Sequence, residues 1–596
     1  MKLFKSLNRT LVMGLALSAF LSPVSCTKKK ASELSGGKPG SKIFYHHRIS
    51  EEKSVDPQRQ FDAASAQLVQ SVFDTLLQYS YLKRPYTLEP ALLEKMPEKQ
   101  ADGTYHFVLR KGVTFHDDES FPGGKGRELN ADDMIFTLKR FADANVNNQS
   151  YSLAAGVIEG LDAFREQSKK LGKGFEYSKV DVAGLKKIDP YTVAVKFVKD
   201  SPLNFYAFAV SSLSIVPEEA VKKYGEDFAK HPVGTGPFYM KKYERRGTTI
   251  LARNPNYWEK FPTEATTEAD KAMVAAYGGK QLPFVDEVML PLIEETQPQM
   301  LKFRKGQLHW VAVNKDDFST FVERVPGSID FKLRPDYQKE YQLYYSPMLT
   351  TALAKFGFND PLIGKNKALR QAIALAWNPD GFVDLMLNGR GIKANSVVPV
   401  EIAGAASDTG STWYSQDLEA AKKKLAEAGY PGGKGLPPIS MEFRATTKDQ
   451  RQVYEFMRNE LSKVGITLTG NFQTFSNFIQ KTDSGNYQIA DAGWNADYPD
   501  AENFYALFYS ENRAPLQNNG NYSNPKFDEL YLKIRDMPNG PDRYKIFAEM
   551  DAIIKEDVPM VLTFNQLALG LLQKNVRNFK RNMMDEYPYK YFDIKE

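Results

Sequence analysis

Cys26 is the only cysteine in the chain, so residues 27–596 must fold without a disulfide. It comes just after Leu11–Leu21, an apolar run of eleven residues behind Lys2, Lys5 and Arg9. Positive charge followed by a short apolar run reads as an export signal; the run is too short to cross a bilayer as a lasting helix. An exported body without disulfides must rely on packed apolar cores. Roughly 550 residues remain beyond the leader, too many for one core, and they predict two to three domains. Aromatics make up 12% of residues, with 31 Tyr and 38 Phe, enough for the cores and for an aromatic-lined cleft. No later run approaches the ~20 apolar residues of a spanning helix.

Ser22-Pro-Val-Ser-Cys26 resembles a bacterial lipobox, in which the cysteine is diacylated and becomes the mature N-terminus. This implies a leader at 1–25, lipidation at Cys26 and a membrane contact through that anchor. Residues 26–42 are polar and rich in Gly, Ser and Lys, and predict a flexible tether. The formal charge of +5 belongs to these two segments: the leader carries three positive charges, and the tether five Lys against one Glu. The body from Ile43 is therefore near −2, which gives no warrant for a nucleic-acid partner.

The motifs of common catalysts are missing. The six histidines are His46, His47, His106, His116, His231 and His309, and none forms His-Glu-x-x-His. Adjacent His46 and His47, read as part of a strand over Ile43–Arg48, point to opposite faces. Gly234-Thr-Gly236 lacks the Lys of a phosphate loop, and no Gly-x-Ser-x-Gly elbow occurs. Asp132 and Asp133 sit at a helix start, where they complement the dipole. No catalytic residue, cofactor or protein-ligated metal is predicted.

Local patterns predict the following elements. A helix spans Ala63 to Tyr79, with Leu68, Val72, Phe73, Leu76 and Leu77 on its apolar side. Asp102-Gly103 turns a hairpin that places Tyr105, Phe107 and Leu109 on one face. Asn130 caps a helix over Ala131–Phe141. Tyr487–Ala492 is a strand; it runs into Gly493-Trp-Asn-Ala-Asp-Tyr498, then Pro499-Asp500, and a helix over Glu502–Tyr509 follows. A strand that delivers Asp497 into a turn beside Trp494 and Tyr498 builds a polar anchor against an aromatic wall. By spacing alone, Asp497 could equally cap the next helix.

The order of several stretches resembles the peptide/nickel class, family 5, of extracellular solute-binding proteins. They are Glu89-Pro-Ala-Leu-Leu93, the hairpin through Asp117, Leu129–Leu138, His231-Pro-Val-Gly-Thr-Gly-Pro-Phe238, Arg253-Asn-Pro-Asn-Tyr-Trp258, Ala368–Ala376 and Asp417–Tyr430. The stretch Gly493–Tyr498 falls where oligopeptide-binding members carry Gly-Trp-x-Ala-Asp-Tyr. The resemblance implies an α/β, two-lobed periplasmic-binding-protein-like fold with an extra inserted domain and a ligand cleft between lobes joined by two crossings. The first lobe is expected at 43–83, 211–345 and 566–596, the inserted domain at 84–210 and the second lobe at 346–565. The crossings are expected near Tyr344–Phe356 and Val561–Gln573.

The implied function is peptide capture for an ABC permease and its ATPase, by a monomer that is not an enzyme. The implied site has Asp497 on the peptide's ammonium, backbone groups of Gly493 and Asn495 on one side, and Gln60, Phe61, Asp62 and Ala63 on the other. Trp494 and Tyr498 form a wall or lid. Some relatives place an Arg two residues before the glycine to help hold a peptide carboxylate; here that position is Asp491. The rival readings are the same fold on an oligosaccharide, opine or metal chelate, or an exported hydrolase or chaperone.

Overall fold

The computed structural model describes residues 40–595, apart from Gly327 and Glu586. The expected leader, Cys26 and the tether as far as residue 39 lie outside the described residues. Among the described residues no helix is long and apolar enough to cross a membrane.

Three sheets carry the architecture. One runs in the order Ile43–Tyr45, Glu287–Pro291, Thr248–Arg253, Phe238–Lys242. A second joins Glu98–Lys99, Tyr105–Val108, Thr192–Val195 and Leu185–Asp189. The third has seven strands and is built on two long ones, Tyr341–Phe356 and Met560–Gln573, which lie antiparallel. Trp310–Ala312 pairs with the Gly570–Leu572 end, whereas Ile489–Asn495 pairs with Thr350–Phe356 at the other. The two long strands therefore feed different neighbours at their two ends. Their register breaks between Pro347 and Thr351, where proline has no N–H to give the ladder.

Several predicted local features appear as spaced. Asn130 starts the helix Ala131–Ala142 with a full capping box, Asp133 accepting from the Asn130 N–H at 3.0 Å. Asp102-Gly103 turns the hairpin between Glu98–Lys99 and Tyr105–Val108. Arg370, on the helix Lys367–Ala376, is buried and donates to the carbonyls of Asp557 and Val558, where the helix Pro541–Asp557 leaves acceptors unpaired.

Others differ. The helix from Ala63 stops at Val72, and Leu77–Tyr79 is a strand. The cause is tertiary. Gly236 N–H donates to the Val72 carbonyl at 2.9 Å, and a Cβ at Gly236 would lie 2.5 Å from the Val72 carbonyl carbon. The Gly234-Thr-Gly236 stretch thus packs directly on the helix end, and Thr235 Oγ1 donates to Asp74 at 2.9 Å. The first strand ends at Tyr45, with a further bridge at Arg48; His46 and His47 between them are both buried, with ring centroids 4.7 Å apart. Burial pushes both imidazoles down, His47 to about 4.

Candidate ligand site

The strand predicted to end at Ala492 runs from Ile489 through Gly493 and Trp494 to Asn495, because Thr350–Phe356 pairs with it throughout. Its other edge is covered only at Ile489 and Ala490, by Met441 and Glu442. From Asp491 onward that edge has no strand partner among the described residues. Gly493 and Asn495 lie there and are exposed. A Cβ at Gly493 would make only ordinary contact, 3.4 Å from the Thr351 carbonyl oxygen, so the protein's own packing does not demand glycine.

Asn503 organises the turn that follows. Its Oδ1 accepts from Trp494 Nε1 at 2.9 Å and from the Asp497 backbone N–H at 3.0 Å. With Oδ1 committed to two donors, its Nδ2 must be the group facing Asp497 Oδ2, at 3.0 Å. Asp497 has no ion pair among the described residues; its hydrogen-bond donor is this neutral amide. The side chain is exposed into a concavity yet crowded by protein on most sides. That loss of bulk water pushes its carboxyl above the usual range, and the Asn503 amide opposes the shift.

Asp497 does not take the alternative role: the next helix, Glu502–Tyr505, begins behind Ala501, which gives it no side-chain cap. Asp500 Oδ1 accepts from the Glu502 N–H at 2.9 Å, at the start of the short helix Glu502–Tyr505. Asp500 is also held by Arg543 through two bonds of 2.7 and 2.9 Å, with both side chains 2% exposed. The expected helix to Tyr509 is therefore one α-turn followed by a 3-10 turn over Ala506–Phe508.

A cavity of about 360 Å³ opens at this point. Trp494, Asp497, Tyr498, Glu502 and Asn503 line one side, and residues 152–157 and 203–210 the other. Glu502 is buried and accepts from the Tyr498 and Tyr531 hydroxyls, with Arg535 at 3.7 Å; burial pushes its carboxyl up.

The second predicted segment is not in this lining. Gln60 is buried and donates to Ser211 Oγ at 3.0 Å, next in the chain to Val210 of the cavity wall. Phe61 is 52% exposed. Asp62 caps the helix that Ala63 begins, accepting from the Ser65 N–H at 2.9 Å. Asp491 is paired with Arg444 at 2.9 Å, so an arginine does stand beside Gly493, supplied by the segment after the strand Ile439–Phe443.

Sequence spacing missed Asn503, Glu502, Tyr206 and Arg444. Asn503 follows Asp497 by six residues, a separation that no capping or turn rule marks. Tyr206 and Arg444 arrive from distant segments and left no local signal. Among the described residues no three His, Cys, Asp or Glu gather as a metal-holding group.

The description "Bacterial extracellular solute-binding proteins, family 5 Middle" matches residues 87–515. The dipeptide-binding protein of Escherichia coli (strain K12) is 23% identical over 514 residues, covering 85% of this chain and 86% of that one. Heme-binding protein A of Haemophilus influenzae is 22% identical, covering 86% of this chain and 84% of its own. Among solved structures, the ABC transporter-associated periplasmic binding protein DppA from Helicobacter pylori, in complex with peptide STSA, superposes with a TM-score of 0.67 at 21% identity. It covers 93% of this chain and 98% of its own. Likeness at this level carries the fold, which is α/β and two-lobed.

Proposed function

The chain belongs to the bacterial extracellular solute-binding proteins of family 5, and on that premise we propose that it captures peptides between its lobes and delivers them to an ABC permease. The observation that carries this reading is Asp497, a carboxylate that opens into the cavity with no ion pair among the described residues. A ligand ammonium supplies the missing charge. The uncovered edge at Gly493–Asn495 suits an extended ligand, which gains main-chain hydrogen bonds whatever its side chains. Gln60–Ala63 is assigned to the opposite side of the same cleft; its support is the contact with Ser211, beside the cavity wall.

The lobes are assigned as 43–83, 211–345 and 566–596 for the first, with 84–210 inserted, and 346–565 for the second. The two long strands suit the crossings, since each has different neighbours at its two ends. Closure about them encloses the ligand. The leader at 1–25 directs export and is removed, and lipidation of Cys26 then holds this monomer at the envelope surface; their support is the pattern of residues 1–26. The chain acts as a binder rather than a catalyst; the support for this is the family description, which names solute binding.

Calorimetry with a free tripeptide and its N-acetylated form tests the reading. The acetylated form is expected to bind at least about tenfold more weakly, because it lacks the charge and adds bulk. Equal binding of the two ends it. Native mass spectrometry of the purified protein adds a second check: a peptide ladder supports the proposal, whereas a single sugar, opine or heme favours the same fold on another solute.

A further inference from the structure

The wall opposite Asp497 is made by two segments some 300 residues away in the chain, 152–157 and 203–210. Their side chains on the cavity include Leu153, Val157, Leu203 and Val210, each half-buried, with surface left open to the cavity. The facing wall carries two carboxylates, Asp497 and Glu502. The cation near them, Arg535, already stands against Glu502 at 3.7 Å. Ser152, Asn204 and Tyr206 share the first wall, so it is an apolar patch set among polar groups, and it faces a wall that carries two carboxylates.

The two walls are tied together beside the cavity. Tyr206 stacks on Tyr498, with ring centroids 5.2 Å apart and planes 19° from parallel. Its hydroxyl reaches Asp500 Oδ2 at 3.5 Å. Ser201 Oγ donates to the Arg535 carbonyl at 2.6 Å, and Lys199 pairs with Asp536 at 2.8 Å. These contacts join the apolar wall to the Asp497 wall in the conformation described.

We propose that the apolar wall selects the ligand by its first side chain, favouring peptides that begin with an aliphatic residue and rejecting those that begin with an acidic one. This rests on the peptide reading, with the ammonium at Asp497. An ammonium held there places the first side chain within the same cavity. An aliphatic side chain leaves water for Leu153, Val157, Leu203 and Val210. A carboxylate in its place loses hydration and faces Asp497 and Glu502, and the one cation of the lining, Arg535, already stands against Glu502.

Calorimetry on the full protein with Leu-Gly-Gly, Gly-Gly-Gly and Asp-Gly-Gly measures the preference directly. The expected order is Leu, Gly, Asp, with about 10- to 100-fold between the first and last. In the double variant Leu203→Asn, Val210→Asn that ratio is expected to fall below about threefold, whatever the absolute affinities. A wild-type ratio already that small, with the peptides binding, overturns the selection while the peptide reading stands. A ratio retained in the double variant overturns the role of this wall. If no free-amine peptide binds at all, the peptide reading falls and takes this inference with it. The wild-type series alone decides the matter should the variant not fold.

Discussion

Asp551 offers the sharpest test of how the fold beneath the site is held. It lies on the helix Pro541–Asp557 and is 7% exposed. Its Oδ1 accepts from Tyr505 at 3.1 Å and Ser396 at 3.2 Å, while Oδ2 has no hydrogen-bond partner. Burial pushes the carboxyl from 3.8 up to about 6. Below the unfolded value both states hold the proton and the shift has no effect on stability. As pH rises through about 6, folding must either bury a charge or retain a proton that the unfolded chain has shed, and stability falls. Two units at 1.36 kcal/mol each make the loss about 3 kcal/mol once pH is well above 6.

Asp551→Asn removes the charge but puts an N–H2 group where Oδ2 has no partner, at a cost of about 1–2 kcal/mol. The variant should therefore be more stable than the wild type by about 1–2 kcal/mol at pH 8, and less stable by about the same amount at pH 4. Scanning calorimetry across that range measures both, and the crossing of the two melting curves is the signature. Curves that stay parallel with pH would refute the assignment of the shift to Asp551.

Asp497→Asn keeps the shape of the ligand site and removes its charge. Because the site admits water, a loss of about tenfold in free-peptide affinity is expected, short of the ~3–5 kcal/mol of a sealed ion pair. The same variant should discriminate less between free and acetylated peptide; titration of the four combinations shows whether it does. Arg543→Met strands Asp500 in a buried position and should cost about 3–5 kcal/mol, read as a lowered unfolding midpoint in urea. Cys26→Ser should leave the protein unprocessed or released into the aqueous phase of a detergent partition; an unmodified N-terminus elsewhere on intact-mass analysis counts against lipidation.

Chemistry that acts over three or four residues was legible in the sequence. Asn130 with Asp133 reads as a helix start because the groups that satisfy each other are three positions apart. Asp102-Gly103 reads as a turn for the same reason. The order of short motifs over most of the chain was enough to name the two-lobed fold, and Asp497 was visible as a carboxylate delivered by a strand.

What local spacing could not carry, packing decided. The helix from Ala63 has apolar residues as far as Leu77, yet it ends at Val72 because Gly236 occupies the space beside the Val72 carbonyl. By position Asp497 could have been a helix cap; Asn503 holds it instead and it stays open to the cavity, whereas Arg543 ties up Asp500. The cavity's second wall comes from segments that meet Trp494 and Asp497 only once the sheets are assembled. A hydrogen bond between near neighbours is written in their spacing, whereas a cavity is the space left between surfaces that the whole fold brings together.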